Sequence, residues 1–341
     1  MFSNYRIILF PFALLYALIT EVRNLLYDKN ILKSTGFDIP VINVGNLSVG
    51  GTGKTPMIEY LIRLLQADYK IAVVSRGYKR KTKGFLVANH ISTPEEIGDE
   101  PYQIHRKFDK IIVAVGEKRK EAIRKVLVKF NPDIILLDDA FQHRSVHAGL
   151  HLLLTPYYKI FPRDYVLPAG DLRECRHQAK RADIVIVSKS PTSIKETEIK
   201  QITNQIHRYN QQRVFFSNIA YSEIIYSQKE QIPVNNLHEY SILLVTGIAN
   251  PLPLYEYLSK KNLNFDSLKF GDHHHFSKAD IQRINKSFQQ IQAEKKIILT
   301  TEKDFVRLNK YFEQDLYYLP IQTKMIDNEA FNNKILNYVK K

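Results

Sequence analysis

The feature that most constrains this chain is the run Val41-Ile-Asn-Val-Gly-Asn-Leu-Ser-Val-Gly-Gly-Thr-Gly-Lys-Thr-Pro56. An apolar stretch reads as a strand, a glycine-rich turn follows, and Pro56 suits the first turn of a helix. That order gathers backbone N–H groups and a helix N-terminus around one anion. Gly50, Gly51, Thr52, Gly53, Lys54 and Thr55 then cradle a nucleotide's phosphates, with Lys54 on the terminal phosphates and the Thr55 hydroxyl on Mg²⁺. The general pattern G-x-x-x-x-G-K-[ST] wants glycine where Ser48 stands, and the strand–turn–helix context offsets that departure.

Around this turn, short apolar runs alternate with helical stretches, the mark of a doubly wound, mostly parallel α/β sheet covered on both faces. The pattern predicts strands at 39–44, 71–75, 111–115, 134–137, 150–154 and 184–187, and helices at 56–66, 95–107, 119–129 and 194–209. Two β-leaning runs, 214–219 and 222–226, read as a strand pair. A second α/β set follows, with strands at 242–246, 297–300 and 316–321 and helices at 252–260 and 278–293. For 341 residues two domains are expected: a P-loop domain at 31–212, a β linker at 213–234 and a smaller α/β domain at 235–341.

Residues 1–30 form a separate piece, because 7–19 is apolar throughout. The run is short of the roughly 20 residues a spanning helix needs, and no small-x-small cleavage site follows it. An interfacial helix in the headgroup region and a helix buried against the protein both remain open. Cys175 stands alone, which excludes an internal disulfide framework and a Cys-based metal cluster. Lys plus Arg outnumber Asp plus Glu by 49 to 35, giving +14. Such an excess favours polyanionic partners or an anionic membrane, although a Lys/Ile/Asn-rich composition accounts for it equally well. No groove-reading motif or zinc finger supports a nucleic-acid partner.

Further motifs carry chemistry. Asp138 and Asp139 end an apolar run, where a Mg²⁺-binding acid is expected beside a phosphate loop; adjacent carboxylates point to opposite sides of a strand, so one can bind metal directly and the other through water. In Gly98-Asp99-Glu100-Pro101, one acid can orient a hydroxyl nucleophile and take its proton while the other assists the metal. Taken alone, that tetrapeptide is equally a capped turn. The triple His273-His274-His275 leaves three roles open: a metal site, a structural histidine, or one histidine facing a cleft and tuning a carboxylate. Arg76 and Arg173 follow candidate strands, where arginine can stabilise a transferring phosphoryl group or simply be solvated.

Together these motifs resemble the tetraacyldisaccharide 4'-kinase family, the lipid A 4'-kinases. The matching stretches are Asn46 to Pro56, Ser75-Arg-Gly-Tyr78, Gly98 to Pro101, Gly116-Glu-Lys-Arg119, Asp138 to Arg144, Leu167 to Glu174, Thr246 to Pro251, Asp272-His-His274 and Thr301-Glu-Lys-Asp304. They lie in family order over nearly the whole chain, and Ser48 agrees with the family. The resemblance implies ATP- and Mg²⁺-dependent phosphorylation of the 4'-hydroxyl of a tetraacylated glucosamine disaccharide 1-phosphate, giving lipid IVA, at the cytoplasmic face of the Gram-negative inner membrane. It implies Asp99 as base with His273 as its partner, Lys54 and Thr55 on phosphates and Mg²⁺, and Glu100, Asp138 and Asp139 in the metal shell. Arg173 would steady the phosphoryl group, and Asn46, Tyr78, Arg119 and His143 would hold the sugar. A substrate with four acyl chains cannot leave the bilayer cheaply, so the N-terminal helix would bring the enzyme to the membrane.

Two other classes share parts of the pattern. A ParA/MinD-like ATPase has a similar glycine turn, but carries a lysine where Val49 stands. A GTP-binding protein wants Asn-Lys-x-Asp, which Val187-Ser-Lys-Ser190 and Thr301 to Asp304 only approximate.

Overall fold

The computed structural model describes residues 4–272, 274–312 and 315–340. The strands are β1 Val41–Asn46, β2 Ile71–Ser75, β3 Leu86–Val87, β4 Ile112–Val115, β5 Ile134–Asp138, β6 Leu150–Pro156, β7 Ile184–Ser188, β8 Arg213–Tyr221, β9 Ile224–Tyr226, β10 Gln231–Pro233, β11 Ser241–Thr246, β12 Phe265–Lys269, β13 Lys296–Thr301, β14 Leu316–Leu319 and β15 Ile321–Met325. The helices are α1 Phe10–Asp28, α2 Lys54–Leu65, α3 Pro94–Ile97, α4 Asp99–Lys107, α5 Arg119–Phe130, α6 Glu196–His207, α7 Leu252–Lys260, α8 Lys278–Gln290, α9 Glu302–Leu308 and α10 Asn328–Val339.

β1, β2, β5 and β7 are buried at every position, as parallel strands covered on both faces must be. Alternate residues serve opposite layers. Ile42, Val44, Ile71 and Val73 pack on α2 through Met57, Ile58, Leu61 and Leu65, whereas Val41, Ala72 and Val74 pack on α5 through Ala122, Ile123 and Val126. The strand order is β15-β8-β7-β6-β1-β5-β2-β4-β3. β1 thus lies between β5 and β6, and the chain leaves it on both sides. Ligands bind at the carboxyl end of such a switch point. A second sheet, β10-β9-β14-β13-β11-β12, forms the smaller domain.

The sequence division fails at two joints. Residues 214–219 and 222–226 are not each other's partners, because β8 runs parallel to β7 in the first sheet while β9 pairs with β10 and β14 in the second. The connecting strand pair is instead β8–β9 against β14–β15, with Tyr221 opposite Ile321 and Tyr226 opposite Tyr318. The expected strand 316–321 is two strands divided at Pro320, and β15 returns to the first sheet. α10 follows it, burying Phe331, Ile335 and Val339 in the core under α2. The end of the 235–341 segment therefore belongs to the P-loop domain. The expected helix 95–107 is also broken, since Gly98 (φ 91°) separates α3 from α4.

α1 is built inside out. Leu14, Leu18 and Ile19 are 61%, 61% and 60% exposed, while its polar side faces the protein. There the Tyr16 hydroxyl donates to the Arg173 carbonyl (3.0 Å), Arg23 donates to the Gln142 carbonyl (2.8 Å), and Asn24 donates to Glu174 (3.3 Å). Arg144 closes the far end on Asp28 at 2.6 Å. No helix among the described residues is long and apolar enough to cross a membrane.

Candidate active site

The turn after β1 takes its shape from residues with little choice of backbone. Gly53 (φ 89°) immediately precedes α2, in a conformation L side chains avoid. Among the described residues no side-chain oxygen caps α2, so its first N–H groups can serve an anion. The turn is braced from inside. Asn46 Nδ2 donates to Thr52 Oγ1 (2.8 Å), Ser188 Oγ to the Thr52 carbonyl (2.7 Å) and Lys189 Nζ to the Gly51 carbonyl (2.6 Å). Sequence reasoning missed the last two as loop supports, although they lie in the quoted Val187–Ser190 stretch.

Asp138 and Asp139 meet the turn in different states. Asp138 ends β5, level with Val44 of β1. It is buried, and its Oδ2 accepts from the Ser75 hydroxyl at 2.9 Å. Its Oδ1 has no hydrogen-bond partner among the described residues. Burial pushes this carboxyl up to about 7, aided by the charges of Glu100 and Asp139. Asp139 lies just past the strand in a left-handed conformation (φ 50°) that Asp tolerates better than most residues. Burial acts to raise it, but Lys54, 3.7 Å away, and then Arg173 outweigh that and hold it at about 2. Arg173 grips it with two bonds, 2.7 and 3.2 Å, and also donates to the Asn46 carbonyl at 3.0 Å. A buried carboxylate with an orphaned oxygen beside other acids is short of positive charge, and an all-oxygen set suits a hard divalent cation.

Four sequence candidates for the sugar divide. Asn46 is fully buried, with its amide engaged by Thr52 and Arg173, so it braces the turn instead of facing a sugar. Arg119 is 1% exposed and donates to the Gly116 carbonyl, while its Nε and Nη2 lack partners among the described residues. Burial pulls it down to about 10, although the charges of Asp138 and Asp139 oppose this. His143 is held neutral, at about 4, by burial and then by Arg119 and Arg76. Tyr78 stands 59% exposed on the loop after β2. Gly98 packs against that loop, where an added Cβ would come within 3.0 Å of Gly77. This contact sets the Gly77–Tyr78 backbone against the residue before Asp99.

Asp99 opens α4 and faces the second domain. Arg307 of α9 donates to its Oδ2 through Nε (3.1 Å) and Nη2, and Lys303 lies 3.5 Å from Glu100. Arg307 was invisible to motif reading, because it sits three residues beyond the quoted Thr301–Asp304 stretch. His273 lies outside the described residues. His274 is committed elsewhere, bonding Asp280 at 3.0 Å between the rings of Phe270 and Phe276.

A phosphate turn, a carboxylate pair and an acid held from a second domain narrow the class of protein, and comparison names it. The family model for tetraacyldisaccharide-1-P 4'-kinase matches residues 5–340. The chain belongs to this family. Curated tetraacyldisaccharide 4'-kinases include one from Flavobacterium psychrophilum, 51% identical over 97% of this chain and 96% of that protein. Another, from Bacteroides thetaiotaomicron, is 44% identical over 97% and 93%. Among solved structures, LpxK of Aquifex aeolicus in complex with ATP superposes with a TM-score of 0.79 at 31% identity, covering 98% of this chain and 99% of that one. The two-domain α/β architecture of this 4'-kinase family member is therefore shared along the whole chain.

Proposed function

We propose that this chain is an ATP-dependent phosphotransferase acting on an alcohol: it moves the γ-phosphate to the 4'-hydroxyl of a tetraacylated glucosamine disaccharide 1-phosphate, yielding lipid IVA. The observation that carries this reading is the braced glycine turn with Lys54 beside Asp139, in the same domain as Asp99, which Arg307 grips from the second domain. The turn and Lys54 bind the phosphates, and Arg173 and Arg119 add positive charge behind them. Thr55, Asp138, Asp139 and Glu100 would hold Mg²⁺, which when bound neutralises charge on the β- and γ-phosphate oxygens. Asp99 orients the sugar hydroxyl and receives its proton, with His273 as partner; the commitment of His274 to Asp280 supports that assignment. Neutral His143 and the exposed Tyr78 are the remaining sugar contacts.

The outward apolar face of α1, whose polar side docks on Arg173 and Gln142, supports a peripheral position on the membrane, on the cytoplasmic side of the inner membrane in this reading. A lipid-bearing substrate meets the site there without its chains entering water. The test is transfer of label from [γ-³²P]ATP to the disaccharide 1-phosphate in mixed micelles with Mg²⁺. The expected result is labelled glycolipid; ATP consumption with no labelled glycolipid would contradict the reading.

A further inference from the structure

We propose that Arg307 is a positioning residue for the acceptor's base, supplied to the P-loop domain by the second domain. The inference rests on the reading of Asp99 as that base. Arg307 occupies the last turn of α9, whose Phe305 and Leu308 are anchored in the second domain's core. Its guanidinium reaches both Asp99 and the histidine loop. Nε and Nη2 both donate to Asp99 Oδ2, the former at 3.1 Å, and Nη1 donates to the His274 carbonyl at 3.2 Å. One planar group thus joins the acid of α4 to the backbone of the histidine loop.

The pair is well shielded, with side chains 7% and 14% exposed. A charge-assisted fork between domains fixes direction as well as distance, which an ammonium on a flexible stem cannot do. α9 is itself locked, since Asp304 accepts from the Thr301 hydroxyl (2.8 Å) and the Gly247 N–H (2.8 Å). Neighbouring ion pairs, Lys303–Glu100 at 3.5 Å and Lys107–Glu302 at 2.7 Å, also cross between the domains. Arg307 therefore couples the meeting of the domains to the aim of the carboxylate.

The test uses the full chain with Arg307→Met and Arg307→Lys, each alone and with Asp99→Ala, reading kcat, KM for ATP and Tm. Arg307→Met should lower kcat about 100-fold, the cost of misaiming a reacting group, with KM for ATP changed less than about threefold. Arg307→Lys, which keeps charge but loses the fork, should recover about tenfold of that loss. In the Asp99→Ala background neither substitution should lower kcat further. An unchanged kcat in both single variants, a loss confined to KM for ATP, or full multiplicativity with Asp99→Ala would overturn the proposal. If the methionine variant melts early, the lysine variant decides by the same measures. Should Asp99→Ala itself keep wild-type kcat, the reading of Asp99 as base falls first; a crippled Asp99→Ala with a normal Arg307→Met overturns this proposal alone.

Discussion

Asp138 and Asp139 are adjacent in sequence and opposite in electrostatics, because one faces Ser75 and other acids while the other faces Lys54 and Arg173. An ionised Asp138 without its cation is a buried, half-satisfied charge, and such groups lower stability in exchange for function. Asp138→Asn should therefore raise the Tm of the ligand-free protein at pH 8 by about 3 °C while cutting kcat by about 100-fold or more. Differential scanning fluorimetry and a steady-state assay check this, and a lowered Tm would contradict it. The structure brings the pair, Lys54 and Arg173 together, and each lies inside a short motif quoted from the sequence. The burial of Asn46 and Arg119 was not legible, since no local pattern says whether a side chain meets solvent or a neighbour. Arg307 was not legible, because its contact with Asp99 spans 208 positions and two domains.

At the scale of elements, α1 has the clearest departure from ordinary helix logic. An apolar stripe normally faces the core, but here Tyr16, Arg23 and Asn24 face the protein and the leucines face outward. The apolar run at 7–19 announced the helix; its facing was hidden, because periodicity cannot say which side is in. Replacing Leu14, Leu15, Leu18 and Ile19 by Gln should abolish co-sedimentation with anionic liposomes and shift Tm by less than about 2 °C, since exposed positions contribute little to folding. Retained sedimentation would count against the membrane reading. The break at Gly98 was half legible, since Gly98 to Pro101 also read as a capped turn. A helical pattern runs through 95–107, and only the close approach of Gly77 explains why the chain turns there and opens a new helix at Asp99.

For the whole molecule, the chain crosses between domains twice, through β8–β9 and back through β14–β15, with Ser222 N–H donating to the Pro320 carbonyl at 2.9 Å. The alternation of strands and helices revealed both sheets, but strand order depends on long-range pairing that no local pattern encodes; hence the return of β15 and α10 went unseen. The domain contact also carries a pH-sensitive group. Burial, then the charge of Glu59, lift Glu302 to about 7 against the pull of Lys107. Its folded pKa lies above the unfolded one, so stability falls as pH rises from the ordinary carboxyl range through about 7. Glu302→Gln should remove that slope, making its Tm advantage over wild type grow from pH 5 to pH 8; a constant difference would contradict the assignment. All of this geometry has one purpose in the present account, to carry a phosphoryl group from the glycine turn to a lipid-borne alcohol. The most direct measurement is the initial rate of ³²P transfer from ATP to the disaccharide 1-phosphate by the wild type and by Lys54→Ala. The account predicts rapid labelling by the wild type and a loss of about 1000-fold in the variant, whose Tm stays near wild type; equal rates in the two proteins would contradict it.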